Sequence, residues 1–222
     1  MPSITVENYL KQIYLEQQDS RHELVPMGKL ANAMGVVPGT ATSMIKALAD
    51  SGLVVYEPRT GTRLTKGGEQ LALHVLRRHR LVELFLVKVL GLDWSEVHDE
   101  AEELEHAISD KVLERIDKLL GHPSVDPHGD PIPTAKGKVS DPHPRLVPLP
   151  QSPLNAKLRI ARIIDQDPPF LQFLDRAGLK PGATLTISGR DEHADSISVK
   201  LDSRSPLTLG TSAAMKILVE AM

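Results

Sequence analysis

Apolar residues recur at steps of three and four in several stretches of the first half of the chain, and this spacing predicts helices. In the first stretch the apolar positions are Ile4, Val6, Leu10, Ile13 and Tyr14. The predicted elements of this region are helices over 3–18, 26–34 and 40–48 and strands over 53–57 and 62–64. The order helix, helix, turn, helix and hairpin predicts a winged helix-turn-helix.

Two long amphipathic helices are predicted next. One runs over 66–90 and ends at Gly91. The other runs over 95–120, with Ser95 as its N-cap and Gly121 after its last turn. Their apolar stripes are wider than a lone helical hairpin can bury, so the two helices are predicted to form a dimerisation unit.

Frequent prolines and alternating apolar residues are the main patterns in the rest of the chain. Prolines are frequent over 123–153, which predicts a linker or an extended strap. Alternating apolar runs at 183–187 and 197–201 predict strands of a compact SH3-like barrel. The expected fold class is mainly α with a small β component. The expected domains are a winged helix-turn-helix over 1–70, a helical domain over 71–140, a Pro-rich linker over 141–153 and a small β-barrel over 154–222.

Composition limits the chemistry. The 222-residue chain has a formal net charge of −3 at pH 7, so contact with nucleic acid would have to come from a local basic face. Cysteine is absent, which excludes disulfides and thiolate metal sites and leaves nitrogen and oxygen as metal ligands. No stretch resembles a signal peptide or a membrane span, so a cytoplasmic protein without membrane contact is expected.

Histidines and carboxylates recur at helical spacing in the two long predicted helices. The positions are His79, Glu83, His98, Glu102, Glu105 and His106. Residues three or four apart share a helix face, where imidazoles and carboxylates together supply ligands for a divalent transition metal. Taken alone, the first two are more typical of a solvated pair, and the glutamates of an acidic exposed face. Together, behind a DNA-reading motif, they predict a metal-sensing transcription factor.

The third predicted helix opens with short residues that suit a recognition helix. Its first turns hold Pro38, Gly39, Thr40, Thr42 and Ser43. Short side chains at a helix N-terminus let the helix enter the major groove and bind phosphate. The simpler interpretation is that Thr40 only caps the helix. Further phosphate contacts from helix and wing are expected from Lys46, Arg59 and Arg63.

The order and spacing of these motifs resemble the diphtheria-toxin-repressor family of iron and manganese regulators. The resemblance is strong over residues 5–135 and weak over 155–222. It rests on Leu-Thr-Lys-Gly-Gly at 64–68, Arg-Arg-His-Arg-Leu-Val-Glu at 77–83, Gly-Leu at 91–92, Val-His-Asp-Glu-Ala at 97–101, Glu-His at 105–106 and Gly-Asp-Pro-Ile-Pro at 129–133. The resemblance implies that 71–140 binds metal and that the C-terminal domain is FeoA-like.

The resemblance also implies two metal sites. One would use His79, Glu83 and His98, completed by a C-terminal carboxylate at Asp167 or Asp165, although capping of a helix near 169 is an equal alternative. The other would use Asn8, Glu102, Glu105 and His106. Glu102 is similar to manganese-type members. Lys11 stands where such members can carry a further glutamate, so two separate sites are favoured over a binuclear one.

Mn²⁺ or Fe²⁺ is the expected effector, because carboxylate and amide oxygens suit both ions. Zn²⁺, Co²⁺, Ni²⁺ and Cd²⁺ are expected as substitutes in vitro. The expected partners are a second copy of the chain, in a homodimer, and double-stranded palindromic operator DNA. The remaining histidines are expected at the surface, and these are His74, His122, His128, His143 and His193.

Two other functions stay open at this point. A metal-dependent hydrolase could use the same histidines and glutamates, although no HExxH arrangement or nucleophile triad is present. A winged-helix regulator could sense an organic ligand between its long helices, with the histidines and glutamates serving structure.

Overall fold

The computed structural model describes residues 3–19, 24–143, 145–201 and 205–222. The chain divides into two compact units. The first comprises residues up to 79 with 105–108 and 133–139, and the second comprises 80–104, 109–132 and the chain from 140 onward. The residues of the predicted helical domain, 71–140, are therefore shared between both units.

The first unit contains the predicted winged helix-turn-helix. Its elements are α1 (Ile4–Asp19), α2 (Met27–Ala33), α3 (Pro38–Asp50), β1 (Val54–Glu57), β2 (Gly61–Leu64) and the beginning of α4 (Lys66–Phe85). The strands pair antiparallel, with Val54 opposite Leu64. Leu10, Ile13 and Ile45 are fully buried in its core. A Cβ at Gly68 would lie 2.0 Å from the carbonyl oxygen of Leu53, the residue before β1. Only glycine therefore permits α4 to approach the start of β1 so closely.

The predicted single helix over 95–120 is wrong. Two helices are present, α5 (Val97–Leu104) and α6 (Asp110–Leu119), and residues 105–109 between them are not helical. The Ser109 side chain accepts a hydrogen bond from the Val112 amide and caps α6. Ser95 is not the N-cap of α5, because α5 begins two residues later, at Val97, and the Ser95 hydroxyl donates to Asp93 at 2.6 Å. The helix predicted over 66–90 is confirmed, with a π-helical turn at Leu86–Leu90 after α4.

The second unit ends in a six-stranded antiparallel sheet in the order β3-β8-β4-β5-β6-β7. The strands are β3 (Val147–Pro148), β4 (Leu158–Ile163), β5 (Thr184–Asp191), β6 (Ser196–Leu201), β7 (Leu207–Gly210) and β8 (Ile217–Ala221), joined by helices α7 (Pro168–Ala177) and α8 (Thr211–Ala214). The predicted barrel had five strands. The sixth, β3, comes from the Pro-rich segment and lies at a sheet edge, where proline costs no ladder hydrogen bond.

The class is mainly α with a small β component, as predicted. Within the described ranges, no helix is both long and apolar enough to cross a membrane.

Candidate metal centres and nucleic-acid interface

The break between α5 and α6 brings Glu105 and His106 into the first unit. Glu105 is fully buried there, and its carboxylate is held by two donors. Lys11 Nζ on α1 lies 2.7 Å from Oε1, and His79 Nδ1 on α4 lies 2.6 Å from Oε2. Glu105 and His106 both lie in the non-helical segment between α5 and α6, so this candidate site is built on the break between the two helices.

His106 is oriented by a second buried carboxylate. Its Nδ1 lies 2.6 Å from Glu7 Oε2, and its side chain is 6% exposed. A carboxylate only accepts hydrogen bonds, so Nδ1 carries a proton, and in the neutral form of this ring the Nε2 atom carries the lone pair. Arg78 lies 3.9 Å from the other oxygen of Glu7. We call Glu7, Asn8, Lys11, Arg78, His79, Glu105 and His106 the Glu105 cluster.

Two donor atoms of the Glu105 cluster fit a metal. Asn8 Oδ1 and His106 Nε2 are buried and make no hydrogen bond with any described residue. Nε2 points toward Glu105 Oε1, at 3.3 Å. Buried polar atoms without partners are costly, and a divalent cation would satisfy an amide oxygen, an imidazole nitrogen and a carboxylate together.

Electrostatics keep Glu105 ionised. Burial raises its pKa, but the hydrogen bond from His79 and the charge of Lys11 outweigh that effect, and the net pKa is lowered. The group is thus already an anion and presents a ligand without first losing a proton.

The second unit holds a separate group of candidate metal ligands, which we call the Glu83 cluster: Glu83, His98, Glu102, Asp126 and His128. Ligand atoms of Glu83, Asp126 and His128 lie within 4.8 Å of one another, and all three side chains are buried. His98, which is half exposed, lies 3.5 Å from Glu83 and 3.8 Å from Glu102.

His128 is fixed by its neighbours on the side away from Glu83. Its Nε2 lies 2.9 Å from the Trp94 carbonyl oxygen, and its ring stacks on the Trp94 ring at 5.5 Å. A carbonyl only accepts, so Nε2 carries a proton, and Nδ1, which carries the lone pair in the neutral ring, lies 4.0 Å from Glu83 Oε2. Nδ1 is buried and has no hydrogen-bond partner in the described part of the chain.

The loop that carries Asp126 and His128 closes tightly on itself. Asp126 Oδ1 accepts from the amides of His128 and Asp130 at 2.8 and 2.9 Å. Gly129 has φ +91°, and a Cβ there would lie 2.0 Å from the Ala161 carbonyl oxygen. This glycine lets the loop pack against β4 and so places both side chains beside Glu83.

The carboxylates of the Glu83 cluster repel one another. Burial raises the pKa of Asp126 well above its usual range, and the charges of Asp130 and Glu83 raise it further. Arg80, whose Nε lies 3.6 Å from Asp126 Oδ2, opposes this only in part. A cation bound here would relieve the repulsion, so the donor set fits a divalent metal.

Sequence reasoning missed two of these residues. His128 was predicted to lie at the surface, and that is wrong, since it is 1% exposed. Asp126 was not singled out at all. Their signal was the Asp-Pro-His-Gly string at 126–129, directly before the motif that carried the resemblance.

The C-terminal carboxylates lie elsewhere among the described residues. Asp167 is exposed at the start of α7, and its side chain does not cap that helix. Asp165 pairs with Lys216, whose hydrogen bond lowers the pKa of the carboxyl. Two C-terminal side chains reach the 126–130 loop instead: Gln166 donates to Asp130 at 2.8 Å, and Arg162 donates to the Gly129 carbonyl at 3.2 Å.

The candidate DNA-binding residues lie on α3 and on the β1–β2 wing. Helix α3 starts at Pro38 and its N-cap is Val37, so the capping role considered for Thr40 is wrong. Thr42 and Ser43 donate their hydroxyl hydrogens to the carbonyls of Pro38 and Gly39, at 2.8 and 2.9 Å. With their hydrogens committed to the helix backbone, these hydroxyl oxygens can act toward other groups only as acceptors. Pro38, Gly39, Thr40, Ser43, Lys46 and Arg59 are exposed, and Thr42 and Arg63 are half-buried.

Family models match three parts of the chain. Residues 1–62 match "Iron dependent repressor, N-terminal DNA binding domain", and residues 65–134 match "Iron dependent repressor, metal binding and dimerisation domain". Residues 147–221 match the FeoA domain. These descriptions agree with the winged helix-turn-helix and with the ligand clusters, and they give no support to the hydrolase alternative.

Individual proteins show the same similarity. The iron-dependent repressor IdeR of Mycobacterium tuberculosis is 32% identical over 194 residues, 82% of this chain and 83% of the relative. The diphtheria toxin repressor of Corynebacterium diphtheriae is 32% identical over 200 residues, 85% of this chain and 86% of the relative. A solved manganese-dependent transcriptional repressor in complex with manganese is 42% identical, covers 98% of this chain and 100% of its own, and has a TM-score of 0.85.

Proposed function

Because the chain belongs to the iron-dependent repressor family, we propose that Mn²⁺ or Fe²⁺ loads its two ligand clusters and thereby switches on operator binding. The protein is a metal-dependent transcriptional repressor rather than an enzyme, and it binds operator DNA as a homodimer.

The donor set carries the proposal. Asn8, Glu105 and His106 would hold one ion, and Glu83, Asp126 and His128 a second, with His98 at its exposed side. Every donor is oxygen or imidazole nitrogen, which suits Mn²⁺ and Fe²⁺. The assignments of His79 to the first predicted site, and of Glu102 and Asp167 to metal binding, stay predictions from sequence.

Metal at the Glu105 cluster would act on the DNA-binding unit itself. Asn8 lies on α1, and α1 shares a compact unit with the recognition helix α3. An ion bridging Asn8 to Glu105 and His106 supplies a strong, directed tie between α1 and residues 105–106. Such a tie shifts the population toward one orientation of α1, and operator binding to that orientation would be favoured.

The operator is proposed to be palindromic, read by one α3 from each protomer. The exposed short side chains at the start of α3 would face the major groove. Lys46, Arg59 and Arg63 would contact phosphates. Because the target is genomic operator DNA, the proposed location is the cytoplasm.

A double variant tests the metal assignment. Glu105→Gln with His106→Ala removes two proposed ligands, and we expect it to lose Mn²⁺-dependent operator binding, measured by fluorescence anisotropy of labelled DNA. Glu103→Gln is the matched control, because Glu103 is exposed and lies outside both clusters. A double variant that responds to Mn²⁺ like the parent contradicts the assignment. Operator binding that needs no metal in the parent would favour the organic-ligand alternative instead.

A further inference from the structure

Lys11 is a buried lysine inside a proposed metal site. It is 6% exposed, and its ammonium lies 2.7 Å from Oε1 of a carboxylate that has no exposure at all. Removing an ammonium ion from water is costly unless a counter-charge compensates it. Glu105 supplies that charge, so Lys11 and Glu105 form an ion pair away from solvent.

The carboxylates of the Glu105 cluster already have basic partners without any metal. Glu105 pairs with Lys11 at 2.7 Å, and Glu7 lies 3.9 Å from Arg78. Both Glu105 oxygens have donors, Lys11 at Oε1 and His79 at Oε2. The cation that a metal would supply to Glu105 is thus already supplied by the protein.

An ammonium group and a divalent cation cannot both contact Oε1 at low cost. Two positive charges in contact with one oxygen atom repel each other strongly in a partly desolvated site. The Nε2 of His106 lies 3.3 Å from the same oxygen, so an ion shared by these two ligands would bind at the carboxylate oxygen that Lys11 already contacts. Asn8 is three residues before Lys11 on α1, so both side chains lie on one helix face.

We propose that the Lys11 ammonium is the resident cation of the metal-free Glu105 cluster and that metal loading displaces it. This rests on the proposed function, since it concerns the same ligands. In the metal-free protein, the Lys11–Glu105 ion pair connects α1 to Glu105. After metal loading, an ion bound to Asn8 and Glu105 makes that connection instead. Lys11 also sets the sensing threshold, because each metal ion must replace an ion pair that the protein has already made.

Two variants of the full chain separate charge from packing. Lys11→Met keeps an apolar stem of similar length and removes the ammonium, whereas Lys11→Arg keeps a cation. We expect Lys11→Met to tighten Mn²⁺ binding at this cluster by about tenfold or more. The Mn²⁺ concentration for half-maximal operator binding should fall by a similar factor. Lys11→Arg should stay close to the parent. The measurements are free Mn²⁺ by electron paramagnetic resonance and operator binding by anisotropy.

The unmodified protein provides an independent test that no folding defect can obscure. A buried, hydrogen-bonded ammonium exchanges slowly enough to give a resolved ¹H–¹⁵N signal, assigned by its loss in Lys11→Arg. Addition of diamagnetic Zn²⁺ should shift or abolish that signal as the site fills. A signal unchanged at saturating Zn²⁺, or Mn²⁺ binding by folded Lys11→Met no tighter than by the parent, overturns the proposal. A parent protein that binds no Mn²⁺ and reads its operator without metal would instead contradict the proposed function.

Discussion

His106 Nδ1 and Glu7 Oε2 lie 2.6 Å apart, so a carboxylate on α1 holds the imidazole of His106, which lies in the non-helical segment after α5. The contact fixes both the tautomer and the direction of the Nε2 lone pair. A carboxylate behind a ligating histidine also increases the basicity of the ring. Glu7 is therefore placed to orient a proposed metal ligand.

Glu7→Gln should weaken Mn²⁺ binding at the Glu105 cluster by about 10–100-fold, because the amide accepts a weaker hydrogen bond than the carboxylate. Glu16→Gln is the control, since Glu16 lies on the same helix and pairs with Lys29 instead. Calorimetric titration measures both. Equal affinities for the two variants would show that Glu7 does not position His106.

Asp126→Asn should stabilise the metal-free protein and abolish metal binding at the Glu83 cluster. The pKa of Asp126 is raised, so its ionised form costs free energy in the fold. That cost is absent when the pH is below the pKa of Asp126 in the unfolded chain. It grows as the pH rises from there to the higher pKa of the folded protein, and it is constant above that pKa. An Asn oxygen can still accept from the amides of His128 and Asp130. The expected gain near neutral pH is about 1–3 kcal/mol.

Thermal unfolding without metal at pH 4 and pH 7 tests this, with Asp117→Asn on α6 as the control. The stabilisation should be larger at pH 7 than at pH 4. A variant that is less stable than the parent at pH 7 would contradict the account of Asp126.

Leu119→Glu should disrupt the homodimer. On α6, Leu113 and Ile116 are buried, whereas Val112 is 48% and Leu119 64% exposed, so the helix has an apolar face that one chain leaves uncovered. A charge buried in such a contact should raise the dimer Kd by about 30-fold, or ~2 kcal/mol. Sedimentation measures the Kd, and Leu154→Glu, also at an exposed leucine, is the control. A dimer as tight as the parent places the interface on another surface.

Arg63→Ala should weaken binding to all DNA sequences alike. Arg63 lies on the wing strand β2, opposite Val55, where a long cation can reach a phosphate. Losing one phosphate contact should reduce the slope of log K against log salt by about 0.9. Binding is measured at several salt concentrations on operator and on random DNA. A loss confined to the operator would assign Arg63 to base recognition.

Ser43→Ala should change sequence preference instead. The Ser43 hydroxyl hydrogen is donated to Gly39, so its oxygen can only accept, which suits the amino groups of adenine or cytosine in the major groove. The expected cost is about 1–3 kcal/mol at one base pair of the operator and little elsewhere. A panel of operators with single substitutions measures this. Uniform losses across the panel would place the recognition surface elsewhere.

Local pattern predicted much of this fold, because helical periodicity and turn residues are local properties. The winged helix-turn-helix and the helix after it follow from spacing alone. The break at 105–109 does not, since the apolar stripe continues through it without interruption. What compensates the lost turn is tertiary: Glu105 accepts buried hydrogen bonds from Lys11 and His79, and His106 donates one to Glu7.

The Glu83 cluster shows the same limit. Glu83 and His98 stood out because each lies at helical spacing from another candidate. Asp126 and His128 lie on a loop, where spacing carries no information on which side chains meet. Their burial depends on Gly129 packing against β4, a contact more than thirty residues distant in sequence. A lone histidine in a proline-rich stretch is more often exposed, and the prediction that His128 lies at the surface was wrong for that reason.

Trp94 is the one tryptophan of the sequence, and its ring stacks on His128, whose other nitrogen faces Glu83. All indole emission from this chain therefore originates beside a single candidate ligand. Occupancy of that cluster can be followed optically in the unlabelled protein, with Mn²⁺ quenching and Zn²⁺ giving only a spectral shift. Occupancy of the Glu105 cluster would need another probe, so the loading order of the two clusters becomes directly measurable.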